Sequence, residues 1–435
     1  MNAPMTLLQR TRRQLIPDSE TGLLWMVAYT AVIALPLLLI VFRGGADICC
    51  GLVDILFLFH ACKTRQWGWL RDVVVVACAL AWVWMLLGVS PFAYDTKISF
   101  SLALIWVRFP LFYAALRYWV LRERRAFFGL AASLSVMLGL VAADTLWQYI
   151  FGVSLSGHVR PPSLRLSGPM DSVKVGIFMA KLLLPVAGIA LAFAAQRGKY
   201  HVAACVLLFL ACMAVVMLSG ERTAFGSTVC GLLSIAALLI IAEPRTRIAC
   251  VGGIVIFAAL VAILFFTQEF VHKRGVVMYD TLLHYRHSDY GFLAFTGIQM
   301  GADHWPTGVG LRGFRELCPQ YLDGMPLTSC NLHPHNPYIE WFVETGAVGL
   351  LLFIGIVAAM GREVLRVFLS HRGVQRCAPA VAVGVLTMNF FPFMGTQSFF
   401  SNWPALLLWY AVSVAIAASA LAELPVDALK DKVIP

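Results

Sequence analysis

The chain has 435 residues, 60% hydrophobic and only 13% charged, with a mean hydropathy of +0.80; a soluble fold carries about a quarter charged residues. Its apolar residues gather in runs of about 20, the length that crosses roughly 30 Å of hydrocarbon as helix, which excludes an ordinary soluble domain. The net charge of +10 does not indicate nucleic acid, because the basic residues sit in short stretches between apolar runs.

The composition therefore predicts an all-α integral membrane protein, one polytopic domain over residues 1–435. The N-terminal "MNAPMTLLQRTRRQLIPDSETG" has no apolar h-region and no small-residue cleavage site, so no cleavable signal is expected. Twelve spans are expected, at 23–42, 46–62, 73–91, 99–119, 127–148, 175–195, 200–218, 223–242, 248–267, 338–360, 378–395 and 402–422. Arg10, Arg12 and Arg13 precede the first span. Lys63, Arg65 and Arg71 follow the second, and Arg117, Arg122, Arg124 and Arg125 follow the fourth. Arg197 and Lys199, Arg245 and Arg247, and Arg362, Arg366, Arg372 and Arg376 follow the sixth, eighth and tenth. Every even connection is thus basic, which places both termini on the cytoplasmic side. The eleven cysteines lie mostly within apolar runs without CxxC spacing and read as small buried hydrophobes.

Chemistry is expected in the outward segments 149–174, 219–223 and 268–337, since loops held by a rigid scaffold carry function. Of ten histidines, seven fall there: His158, His272, His284, His287, His304, His333 and His335. "GHVRPPSLRLSGPMDSVK" holds Arg160, Arg165 and Lys174 against Asp171. These cations either snorkel to headgroup phosphates or form a wall for an anionic ligand, a task to which Arg is suited as a bidentate clamp. In "MLSGERTAFGS", Glu221 and Arg222 occupy a short turn near membrane depth, where charge is costly and points to function; mutual compensation is the plainer reading.

Within 268–337, residues 289–303 show helical apolar spacing through Phe292, Phe295, Ile298 and Gln299–Met300, an amphipathic helix at the interface. Gly308, Gly310 and Gly313 form a GxGxxG that lacks the surrounding βαβ unit of a dinucleotide site. It reads as a turn, or as a turn delivering Arg312 toward a ligand. Cys318 and Cys330 are candidates for a structural disulfide.

"NLHPHNPYIEWFVETGAVGLLLF" then opens the tenth span. Asn336 and Pro337 suit the N-cap and first helical position. His335 sits just ahead of them, where the helix dipole disfavours added positive charge and favours a neutral imidazole able to act as a base. Three readings of this segment stand. The histidines cap while Glu340 and Glu344 pair with outward arginines. Alternatively, His333 and His335 hold a metal with Asp303, His304 or His287, although no HExxH-like spacing accompanies them. In the third, His335 is a base beside an arginine-lined anion pocket.

The "SGERTA" turn, "HWPTGVGLRGF" and "HNPYIEWFVETGAVGLL" together resemble the O-antigen ligase/polymerase superfamily. Matching positions are Pro306, Gly308, Gly310, Phe314, His335, Asn336, Glu344, Gly346 and Gly349, over about 219–350; "RLSG" resembles the family's Arg-x-x-Gly. The resemblance implies a GT-C-type glycosyltransferase in the bacterial inner membrane with a periplasmic active site, acting without metal or cofactor. The donor implied is a glycan on undecaprenyl pyrophosphate, the acceptor a lipid A–core sugar hydroxyl. His335 is then the base and Arg222 a pyrophosphate-binding residue, with Arg160, Arg165, Lys174, Arg286 and Arg312 as further anion-binding candidates. Asn336, Glu344, Glu221 and His333 take supporting roles. Two departures stand out. Tyr290 occupies the place of the Arg that usually opens the loop helix, with Arg286 one turn earlier; the usual Pro-Asn after Arg-x-x-Gly is absent, with Lys174 nearby. A polymerase or a protein O-oligosaccharyltransferase shares these motifs, though the short C-terminal "ELPVDALKDKVIP" does not favour the latter. A carrier of lipid-linked glycan is the alternative of another class; the intramembrane Arg108, Asp144 and Lys181 are few for it, and no repeat is evident.

Overall fold

A computed structural model describes residues 22–163, 165–321, 330, 333–393, 395 and 397–420. The arginines ahead of the first span and the whole of the closing "ELPVDALKDKVIP" lie outside them. The described chain is helical, with one isolated bridge between Val153 and Val159.

Among the described residues, eleven helices are long and apolar enough to cross a membrane, and a twelfth, shorter apolar helix accompanies them. In chain order they begin with α1 Gly22–Val41, α2 Arg43–Thr64, α3 Val73–Phe92 and α4 Thr96–Val120. Next come α5 Arg124–Phe151, α6 Val175–Arg197, α7 Lys199–Leu218, α8 Arg222–Ala242 and α9 Arg247–Thr267. The segment after α9 folds as α10 Glu269–Leu283, α11 Asp289–Asp303 and the short α12 Gly313–Leu317. The chain returns through α13 Pro337–Ser370, α14 Cys377–Phe390 and α15 Asn402–Ser419. The protein is thus a multi-pass membrane protein.

Helix α15 is apolar on every side and is therefore stable only in the interior; it packs against α1, α2, α4, α6, α13 and α14. Its polar edges are satisfied by neighbouring backbone: Trp403 Nε1 donates to the Leu39 carbonyl at 2.9 Å and the Tyr410 hydroxyl to the Val32 carbonyl at 3.1 Å. Helix α9, equally apolar, has no buried residue and presents itself to lipid. Helix α14 stops at Phe390 rather than at 395. Phe391 before Pro392 is extended (φ −66°, ψ 123°), as clash with the proline ring requires.

The connections sort into two ends by their contacts. At one end, Arg43 pairs with Asp171 at 2.6 Å and the Tyr94 amide donates to the Val309 carbonyl at 2.9 Å. There too, Leu166 N donates to the Ser219 carbonyl at 3.3 Å and Asn336 Nδ2 to the Pro392 carbonyl at 2.6 Å. All six odd connections meet here. At the other end, Arg117 bridges Asp72 (3.3 Å) and Glu363 (2.5 Å), and Arg376 pairs with Glu243 at 3.1 Å.

The structure corrects or extends three readings of the region 268–344. First, it contains a helix, α10, that hydropathy did not separate from loop. Second, α11 has the expected bounds and packs on α13: Leu293, Ala294, Gly297, Met300 and Gly301 are buried, while Phe295 and Ile298 of the expected apolar spacing are 50% and 47% exposed. Third, Glu340 and Glu344 do not pair with arginine side chains. Glu340 accepts from the Ser398 hydroxyl at 2.5 Å and the Phe399 amide at 2.7 Å, and Glu344 accepts from the Arg312 amide at 2.8 Å.

Candidate active site

The site begins with a break in α13. Gly346 is non-helical (φ 72°, ψ −176°), a conformation open to glycine and strained for other residues. The break frees backbone groups within the span, where leaving them unpaired costs several kcal/mol. The loop after α11 supplies the partners. Val309 N donates to the Val343 carbonyl at 2.9 Å and Gly310 N to the Glu344 carbonyl at 3.1 Å, while Ala347 N donates to the Trp305 carbonyl at 2.8 Å. Contact is so close that a Cβ on Gly308 would meet Glu344 C and Thr345 N at 2.6 Å, and one on Gly346 would meet the Pro306 carbonyl oxygen at 2.4 Å. The glycine-rich stretch is therefore a backbone clasp that fixes the loop to the start of α13.

That start carries the histidine. Asn336 caps the helix, its Oδ1 accepting from Tyr338 N at 2.9 Å and Ile339 N at 3.2 Å, with Pro337 at the first turn. His335 takes a left-handed backbone (φ 56°), which turns the chain sharply into the helix. Its imidazole lines a cavity of 730 Å³ walled by α8, α10, α11 and the segment after α14. Arg222 lines the same cavity. Tyr290 neighbours both: its ring lies 5.4 Å from the His335 ring and 5.8 Å from the Arg222 guanidinium carbon. His333 stacks at a tilt on His335, with ring centroids 4.2 Å apart.

Arg222 Nη1 donates to Thr281 Oγ at 2.9 Å and to the Val277 carbonyl at 3.4 Å. It also lines a second cavity of 410 Å³ together with Glu221 and Arg274. Arg274, on α10, is a cation that sequence reasoning missed. Burial lowers its pKa, and the like charges of Arg165 and Arg222 lower it further, so the three guanidiniums share one electrostatic neighbourhood. Arg160 and Arg274 both lie over the Phe270 ring, at 5.5 and 5.4 Å. Arg165 donates to the Val173 carbonyl at 3.0 Å and stands 3.9 Å from Glu221. Glu221 is buried and accepts from the Gly176 amide at the start of α6 at 2.7 Å. Burial pushes its pKa up to about 7 against the opposing pull of Arg165 and that amide.

The remaining candidates lie farther out. Lys174 sits over the Trp403 ring at 5.4 Å, its pKa lowered by burial and then by Arg43. Arg286 lies over Phe295, whose ring lines the His335 cavity. Arg312 does not reach that cavity; with Tyr94, Asp95 and Arg315 it lines a separate hollow. Cys318 and Cys330 are joined by a disulfide. Among the described residues no group of three or more His, Cys, Asp or Glu gathers to hold a metal ion. Arg274 lines the 410 Å³ cavity with Val271 and Met278 of the same helix, but this local pattern does not separate a cavity-facing arginine from a water-facing one.

Residues 203–354 match the family model described as O-antigen ligase. The matched stretch contains Arg222, Arg274, Tyr290 and His335. No curated protein matches the chain.

Proposed function

We propose that this domain transfers a glycan from undecaprenyl pyrophosphate to a sugar hydroxyl of lipid A–core at the periplasmic face of the bacterial inner membrane. The observation that carries the reading is that His335 and Arg222 line one cavity, with further arginines beside Arg222. His335 takes the proton of the acceptor hydroxyl, a step worth roughly 10²–10⁴-fold. The acceptor oxygen forms a bond to the anomeric carbon as the bond from that carbon to the pyrophosphate oxygen breaks. The electron pair leaves on undecaprenyl pyrophosphate, whose growing charge is met by Arg222, Arg274 and Arg165. A single displacement of this kind inverts the anomeric centre.

The metal-free form of this mechanism follows from the leaving group. Pyrophosphate departs as a stable anion, and guanidiniums supply the countercharge that a metal supplies elsewhere. A broken span clasped by a loop is the kind of irregular backbone tolerated at membrane depth only where it lines a cavity or lies within protein.

The experiment mixes purified protein, undecaprenyl-pyrophosphate glycan and lipid A–core in detergent, with and without EDTA. Ligation in both arms supports the reading. Glycan chains extended on the lipid carrier without lipid A–core indicate a polymerase instead. Absence of any transfer, with glycan movement in sealed vesicles, indicates a carrier.

A further inference from the structure

We infer that Tyr290 is the residue that contacts the donor sugar attached directly to pyrophosphate, and that it sets which pyranose the site accepts. The inference rests on the transferase reading above and adds a substrate contact to it.

Displacement at an anomeric carbon needs the incoming oxygen and the departing oxygen on opposite faces of that carbon. With the base at His335 and countercharge at Arg222, the sugar bearing the carbon lies between them. Tyr290 occupies the wall of that interval. Its ring meets the His335 ring edge to face, at 69° between planes, and faces the Arg222 guanidinium. Arg222, Tyr290 and His335 all line the one cavity.

Gly395 borders this space: a Cβ on it would come within 3.1 Å of Thr223 Cγ2, 3.6 Å of the His335 carbonyl oxygen and 3.9 Å of Tyr290 Cε1. Tyr290 itself is held by backbone. The Ser288 hydroxyl caps α11 by accepting from Gly291 N at 3.2 Å. Gly291 in turn packs so tightly on the turn before it that a Cβ would fall 1.8 Å from the Tyr285 carbonyl oxygen. The backbone that carries the Tyr290 ring is thus held in place at the start of α11.

The chemistry fits a pyranose. A sugar ring has an apolar C–H face and a rim of hydroxyls; tyrosine offers an apolar ring and a polar tip. Ala294, Phe295 and Ile298, one to two turns along α11, line the same cavity and continue an apolar wall beside it. Specificity then arises as in other pockets, from shape and from a few placed polar groups.

The test compares wild type, Tyr290→Phe, Tyr290→Leu and His335→Ala in the detergent assay, using donors that differ only in the first sugar. Binding of undecaprenyl pyrophosphate without sugar is measured alongside. Tyr290→Leu is expected to raise KM for the preferred donor by about 10-fold and to flatten the preference between donors. Its affinity for the sugar-free carrier should fall less than its affinity for the preferred donor, and a near wild-type melting temperature shows that the variant is folded. Tyr290→Phe, which keeps the ring, should retain the larger part of the affinity. An active wild type together with a Tyr290→Leu variant of unchanged donor preference overturns the inference. So does a loss of kcat equal for all donors, which would assign Tyr290 to positioning His335. Failure of the transferase reading is distinct: it appears as an inactive wild type or an active His335→Ala variant.

Discussion

Glu221 is a carboxylate set among cations yet held near neutrality, because burial outweighs the pull of Arg165 and the Gly176 amide. The consequence can be given a sign. Its pKa is raised from 4.5 to about 7, so between those values the folded protein holds a proton that the unfolded chain has released. This contribution to stability is fully present below about pH 4.5 and is lost as pH rises through about 7. In Glu221→Gln the slope of thermal stability against pH over that window should flatten. The same variant should bind undecaprenyl pyrophosphate more tightly at pH 8, since it removes a negative charge beside the arginines; unchanged binding between pH 6 and 8 in the wild type would count against this coupling. Arg222→Ala should lower the transfer rate about 10²–10³-fold with a near wild-type melting temperature. His335 and Arg222 stood out in the sequence because each sits in a short motif with few structural duties, and both line one cavity. Arg274 was not, because an arginine on an amphipathic surface helix has the same local sequence whether it faces water or a cavity.

At the level of elements, the broken α13 explains why the glycine-rich loop has its composition. Pairing between 305–310 and 343–347 needs two backbones in direct contact, and Gly308 and Gly346 both take positive φ there (72° each). Gly346→Ala is expected to lose about 2 kcal/mol or more, from backbone strain and from clash with Pro306. A lowered melting temperature in detergent with weakened activity checks it, while Gly355→Ala, where a Cβ meets nothing within 4 Å, serves as the neutral control. Sequence supplied the glycines and the long apolar run through them. It did not reveal the break, since hydropathy is blind to a single left-handed residue inside a span. Nor did periodicity identify the buried face of α11. That face is built from small residues, Ala294, Gly297 and Gly301, which let the helix approach α13 closely, while its larger residues Phe295 and Ile298 line the cavity.

For the whole molecule, length and hydropathy were sufficient for twelve helices, because the bilayer fixes span length and every span must satisfy its own backbone. Which connections meet at one end followed from the count alone, and the contacts of Arg43, Tyr94, Arg165, Asn336 and Ser398 gather them as expected. The sidedness read from Lys and Arg placement is a proposal that labelling can test. In a background with the free cysteines replaced, Arg286→Cys should react with a membrane-impermeant maleimide in spheroplasts, and Arg372→Cys only in inverted vesicles; the reverse pattern would invert the topology. The central claim, that His335 is the base of a glycan transfer, is tested most directly by single-turnover transfer with wild type and His335→Ala at saturating donor. The account predicts a rate lower by about 10²–10⁴-fold in the variant, with donor binding retained; a His335→Ala enzyme that transfers glycan at the wild-type rate would contradict it.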